Sequence, residues 1–110
     1  MHELSIVRGI VELCEQHAGG RPVKLVAVEI GALSGVVPEA LEFSFEAGTN
    51  GTLLAGARLE IDLIPATGHC AACDKTVPIG SFIDACPECG NLPLEIRSGE
   101  EMRVKYLEVD

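Results

Sequence analysis

Four cysteines carry the most specific chemistry in this chain. Cys70 and Cys73 stand in CAAC, Cys86 and Cys89 in CPEC, with twelve residues between the pairs. Two residues between thiolates let each pair close a tight turn around one ion, and four such sulfurs form the tetrahedral set that zinc prefers. Iron, as in a rubredoxin-like electron carrier, is the rival occupant of an all-sulfur tetrahedron. Pro87 stiffens the second turn, and Gly90, just after Cys89, can take the positive φ such a turn demands. The surrounding segment has hardly any other core. Units below about 40 residues generally need a staple, and a structural zinc can supply on the order of 10 kcal/mol. The metal is therefore read as architecture.

A second candidate is the opening Met1-His2-Glu3. The α-amine of Met1, the amide of His2 and the imidazole of His2 lie in a row. Amine and amide close a five-membered chelate ring, amide and Nδ1 a six-membered one, and the amide or carboxylate of Glu3 can complete the set. Nitrogen-rich tetragonal ligands suit Ni(II) or Cu(II), with copper ahead on raw affinity. The first amides of a helix have no intrahelical partner and are free for such use. All these donors must be deprotonated to bind, so mild acid should release the ion. Taken alone, a histidine at position two reads as an exposed chain end.

The remaining reactive side chains read as structural. Cys14 lies on an apolar helix face and belongs to the core. His69, beside Cys70, reads as a loop histidine, and His17 sits where a helix C-terminus favours a cation. Glu12, Glu15, Glu42 and Glu46 read as solvated helix faces. The chain holds neither a glycine-rich phosphate loop nor a nucleophile elbow.

These groups must be positioned by a small set of elements. Leu4, Val7, Ile10, Val11 and Cys14 recur at helical spacing, so a first helix runs to about Ala18 and ends at Gly19-Gly20. Val23 to Ile30 is a strand, broken by GALSG. Pro38 and Glu39 suit the first turn of a second helix with Leu41, Phe45 and Gly48 on one face, stopping near GTNG. ARLEIDLIP alternates, Leu59, Ile61 and Leu63 inward, which predicts an antiparallel strand with one wet face. Periodicity then disappears from about Ala66 to Arg97. EMRVKYLEV resumes it with Met102, Val104 and Tyr106 on one face. The predicted fold is α+β: two helices packed on a three-stranded sheet, with the cysteine segment inserted as a zinc-ribbon-like module. Residues 1–65 and 99–110 form one domain and residues 66–98 the inserted one.

The formal net charge is −9 over 110 residues. Phosphate binding rests on lysine and arginine, so nucleic acid is excluded as a partner. The cysteine segment repeats this bias, with Lys75 and Arg97 facing Asp74, Asp84, Glu88 and Glu95. No basic leader with an apolar stretch opens the chain, and no apolar run approaches the roughly 18 residues that cross a membrane. Cytoplasmic location without a membrane partner is expected. Five cysteines in a reducing compartment then point to metal rather than disulfides.

The stretches MHELSIVRGIVE, VEIGALSGVVPEALEFSFE, the paired CxxC motifs and the closing GEEMRVKYLEVD together resemble the HypA/HybF family, the nickel metallochaperones of nickel-iron hydrogenase maturation. The resemblance spans essentially the whole chain. It implies nickel bound through Met1, His2 and Glu3, and zinc through Cys70, Cys73, Cys86 and Cys89. It also implies a protein that performs no reaction of its own, acting as a monomer or weak homodimer. The implied partners are the GTPase accessory protein HypB, the hydrogenase large subunit and, for some relatives, urease maturation proteins. The competing expectation is a zinc-ribbon protein–protein interaction module with no nickel role.

Overall fold

The computed structural model describes residues 2–110, in which two helices and six strands follow one another as α1 (Glu3–His17), β1 (Val23–Gly31), α2 (Pro38–Gly48), β2 (Arg58–Ile64), β3 (Thr67–Cys70), β4 (Lys75–Pro78), β5 (Glu95–Ser98) and β6 (Met102–Val109). The strands make two three-stranded sheets, ordered β2-β1-β6 and β4-β3-β5. The molecule is long and narrow, 53 × 22 × 16 Å, and holds two separate apolar clusters. The fold class is α+β, as the sequence predicts.

Gly19 and Gly20 adopt φ of +64° and +78°, the left-handed conformation that ends α1 at little steric cost. Along α1 the buried positions are Val7, Ile10, Val11 and Cys14, the three-and-four spacing that lays one face on the sheet. Leu41 and Phe45 of α2 join them over Val26, Val28 and Ile30 of β1. Both helices therefore cover one face of the larger sheet. Where they cross, a Cβ on Gly48 would lie 2.8 Å from Cγ1 of Val7 and 3.2 Å from Cδ1 of Leu4. Val7 is fully buried and has no room to turn away. Gly48→Ala is expected to cost about 1–2 kcal/mol, because overpacking outweighs alanine's better helix propensity. Thermal unfolding checks this, and a raised midpoint would contradict it.

Three expectations are corrected. First, β2 pairs with β1 in parallel, from Leu25–Arg58 to Gly31–Ile64. The alternation of a strand reports which face is wet but not the direction of its neighbour. Here α2 and the turns after it form the crossover that returns the chain in the same direction. Second, Leu63 is 58% exposed rather than inward: in its row, Leu63–Ile30–Met102, only Ile30 on the central strand is buried, and the two residues on the edge strands are left open.

Third, Tyr106 does not share a face with Met102 and Val104. Val104 pairs with Val28 but Tyr106 with Ala27, so Lys105 is an extra residue, a β-bulge that shifts the alternation. Val104, Leu107 and Val109 pack on the core instead. The phenol of Tyr106 donates to Glu60 at 3.4 Å on the open face, beside the Lys105–Asp62 pair at 3.4 Å and the Arg103–Glu29 pair.

The cysteine segment is also more regular than its lost periodicity suggests, since it contains β3, β4 and β5. Each is four residues long, too short for alternation to register. Its connection to the larger sheet is a close backbone packing. The N–H of Gly31 donates to the carbonyl of Glu101 at 2.7 Å, that of Ala32 to Ile64 at 2.9 Å, and that of Leu33 to Gly99 at 2.6 Å.

Candidate metal centres

The first CxxC forms the turn of the β3–β4 hairpin, in which Cys70 pairs with Lys75. The second lies between β4 and β5, closed by bonds from the N–H of Gly90 to the carbonyl of Cys86 (2.8 Å) and from the N–H of Cys86 to that of Asn91 (2.9 Å). Gly90 has φ +75°, as expected, and Asp74 has φ +53°. Asp74 follows Cys73 as Gly90 follows Cys89, so both turns use the same left-handed step after their second cysteine. Aspartate tolerates it better than most residues. The sequence carried this signal in the matching offset. Across the two turns Lys75 Nζ meets Glu88 Oε1 at 3.0 Å.

The ligand atoms of Cys70, Cys73, Cys86 and Cys89 all lie within 4.8 Å of one another. Cys70 Sγ is 3.6 Å from Cys89 Sγ, and Cys73 Sγ 4.0 Å from Cys86 Sγ. Sulfurs held at about 2.3 Å from a central zinc stand about 3.8 Å apart at the corners of a tetrahedron. The cluster fits one four-coordinate ion. Four protein sulfurs leave no open position, the arrangement of a structural rather than a catalytic centre. Cys70 and Cys86 are buried, and with Val77 and Leu94 they are the buried core of this part of the chain.

Without a cation, four thiols this close cannot all ionise. The backbone N–H of Cys73 aims at Cys70 and brings its pKa down to about 7, assisted by the neighbouring thiols. Hydrogen bonding with Cys89, together with burial and the charge on Cys70, pushes Cys73 up to about 12. Loading a metal at neutral pH therefore displaces protons, and affinity falls as pH falls.

Cys14 is fully buried under α1, apart from this cluster, and burial pushes its thiol pKa up. His69 is corrected from a loop residue to a strand residue. It lies in β3, and its Nε2 meets Asp74 Oδ1 at 3.0 Å.

At the other end of the molecule, Met1 lies outside the described residues, so its part in the terminal set has no geometry here. His2 is exposed and precedes α1, with its carbonyl accepting from the N–H groups of Ser5 (3.1 Å) and Ile6 (3.3 Å). Its imidazole caps nothing. Glu3 begins α1, and its Oε2 accepts from the N–H of Val37 at 3.3 Å. Its own backbone N–H and that of Val37 hold the carboxyl below the usual carboxylate range. His2 also lies at a groove of about 520 Å³ between α1 and β6, walled by Ile6, Ile10, Leu13, Met102 and Val104. Sequence reasoning missed Val37, whose contribution is a main-chain N–H with no side-chain signature.

Residues 1–109 match the family model described as hydrogenase/urease nickel incorporation, metallochaperone, HypA. The hydrogenase maturation factor HypA of Geobacter metallireducens is 54% identical over 110 residues, covering the whole of both chains. Hydrogenase maturation factor HypA 2 of Bradyrhizobium diazoefficiens is 48% identical over 113 residues, again covering both chains whole. The solution structure of the nickel metallochaperone HypA from Helicobacter pylori superposes with a TM-score of 0.69 at 27% identity, covering 99% of this chain and 97% of that one. A second solution structure of HypA gives 0.71 at 29% identity over 99% and 96% of the two chains. With agreement along its full length, in sequence and in fold, the chain belongs to the HypA family of nickel metallochaperones of hydrogenase maturation.

Proposed function

We propose that this protein binds Ni(II) through Met1, His2 and Glu3 and delivers it to the large subunit of a nickel-iron hydrogenase. HypB is the GTPase partner, and the work is done in the cytoplasm. Residues 1–65 and 99–110 form the nickel-handling domain. Residues 66–98 form a zinc-ribbon-like insertion in which Cys70, Cys73, Cys86 and Cys89 hold zinc. When bound, zinc supplies folding energy and takes no part in handover. The observation that carries the nickel reading is the state of His2: an exposed imidazole, committed to no cap, beside backbone amides that a helix start leaves without an intrahelical partner. Such a site is open to solvent and to a recipient, as a cargo site must be.

The test is calorimetric titration of Ni(II) into untagged, zinc-loaded protein, beside His2→Ala and a form whose Met1 α-amine is acetylated. One nickel should bind the native chain. Both altered forms should lose most of that affinity, by about a hundredfold or more, since each removes one end nitrogen of the chelate. Zinc content and fold should survive in both. Equal binding by all three would remove the terminal site and favour the zinc-ribbon interaction module without a nickel role.

A further inference from the structure

Glu3 reaches across the fold in a way its place in the proposed nickel set does not require. Its Oε2 accepts a hydrogen bond from the N–H of Val37, 34 residues along the chain. Val37 precedes the first turn of α2, where no side chain of its own segment caps the helix. The residues before it are already fixed. Leu33 donates its N–H to Gly99 at 2.6 Å, Ser34 to Gly31 at 3.1 Å, and Val36 to its neighbour Ser34 Oγ at 3.2 Å. Glu3 therefore ties the first turn of α1 to a stretch of backbone that is itself anchored to the sheet.

This bears on which atom of Glu3 serves the metal, a choice between amide and carboxylate that the sequence leaves open. If the carboxylate turned to nickel, the Val37 N–H would lose its acceptor and the tie between the helix starts would go with it. The amide bonds only that same carboxylate, a contact within the residue, and ties no other segment of the fold. A chelate built from consecutive backbone nitrogens must hold its chain in one conformation. Anchoring the third residue fixes part of that conformation before the ion arrives.

We infer that the Glu3 carboxylate is a positioning group and not a nickel donor: bonded to Val37, it holds the start of α1 so that the terminal chelate forms in one orientation. The inference rests on the terminal nickel reading above, and the two fail separately.

The experiment is nickel titration with visible absorption spectra of the zinc-loaded full chain, comparing Glu3→Gln, Glu3→Ala, Val37→Pro and His2→Ala. Glutamine keeps an oxygen acceptor for Val37, so Glu3→Gln should bind within about threefold of the native chain with unchanged nickel bands. Glu3→Ala should bind about tenfold more weakly, yet with the same bands, since only positioning is lost. Val37→Pro deletes the donor N–H without touching the chain end and should reproduce Glu3→Ala. Far-UV dichroism shows whether that variant keeps its fold, and if it does not, the two Glu3 variants decide. Loss of nickel or shifted bands in Glu3→Gln would make the carboxylate a donor and overturn the inference. Native affinity in Glu3→Ala would overturn it as well. Native binding by His2→Ala would instead remove the terminal site itself.

Discussion

Cys73→Ala is expected to lose zinc and to unfold residues 66–98 while the larger sheet and its helices stay intact. The small β4-β3-β5 sheet has strands of four residues, and of the four buried residues in its apolar cluster two, Cys70 and Cys86, are themselves proposed ligands. Val77 and Leu94 remain, and two apolar side chains cannot offset the chain entropy of some thirty residues at about 1–2 kcal/mol each. Zinc held by four thiolates is worth on the order of 10 kcal/mol of folding energy, and a three-sulfur remnant forfeits much of it. The larger sheet has its own cluster, which includes Val7, Val26, Ile30, Leu41 and Phe45, and does not depend on the ion.

Amide hydrogen exchange should accordingly separate the two parts. Amides of β3, β4 and β5 should lose protection by orders of magnitude, with those of β1 and β2 unchanged. Elemental analysis should find zinc absent. Stripping the metal with a chelator should give the same pattern in the native chain. Protection of β3 and β4 that persists without metal would show that packing alone holds this segment.

Gly31→Ala has the other large expected effect, on the joint between the two sheets. A Cβ at Gly31 would fall 2.0 Å from the carbonyl oxygen of Gly99, 2.1 Å from its carbon and 2.6 Å from the nitrogen of Glu100. All three are backbone atoms, so no side chain can swing aside. Gly99 cannot retreat either. It has φ +112°, and the space where its own Cβ would stand is taken by Ala66, with Cα at 2.7 Å. Three backbone segments stack here without side chains between them. Separating them stretches the bonds from Gly31 to Glu101 and from Leu33 to Gly99. The cost should exceed about 3 kcal/mol, the upper range of ordinary overpacking. For a chain of this size that lowers the thermal midpoint by roughly 10 °C or more. The cysteine ligands are untouched, so zinc content should stay at the native value. A midpoint within about 2 °C of native would show that the joint yields more easily than its backbone contacts imply.

These two expectations differ in how far the sequence announces them. Spacing alone picks out Cys70, Cys73, Cys86 and Cys89, because a CxxC turn is a local object whose chemistry is fixed by two intervening residues. The importance of Gly31 does not show, since a glycine at the end of a strand reads as a simple break. Only the return of the chain at Gly99, 68 residues later, makes its missing side chain necessary. His2 is legible as a donor by its type and position. The use of the Glu3 carboxylate is not, because its partner is a main-chain N–H, which every residue but proline possesses.

The sequence by itself determined the two helices with their buried faces, the strand character of β1, β2 and β6, and the tetrathiolate cluster. Each of these follows from interactions between residues a few positions apart, where periodicity and turn chemistry act. The tertiary structure alone decided that β2 runs parallel to β1, that the extra residue at Lys105 sends Tyr106 to the open face, and that three short strands organise the cysteine segment. Strand direction and register come from backbone bonds between distant segments. Those bonds involve groups common to all residues, so they leave no pattern in side-chain order.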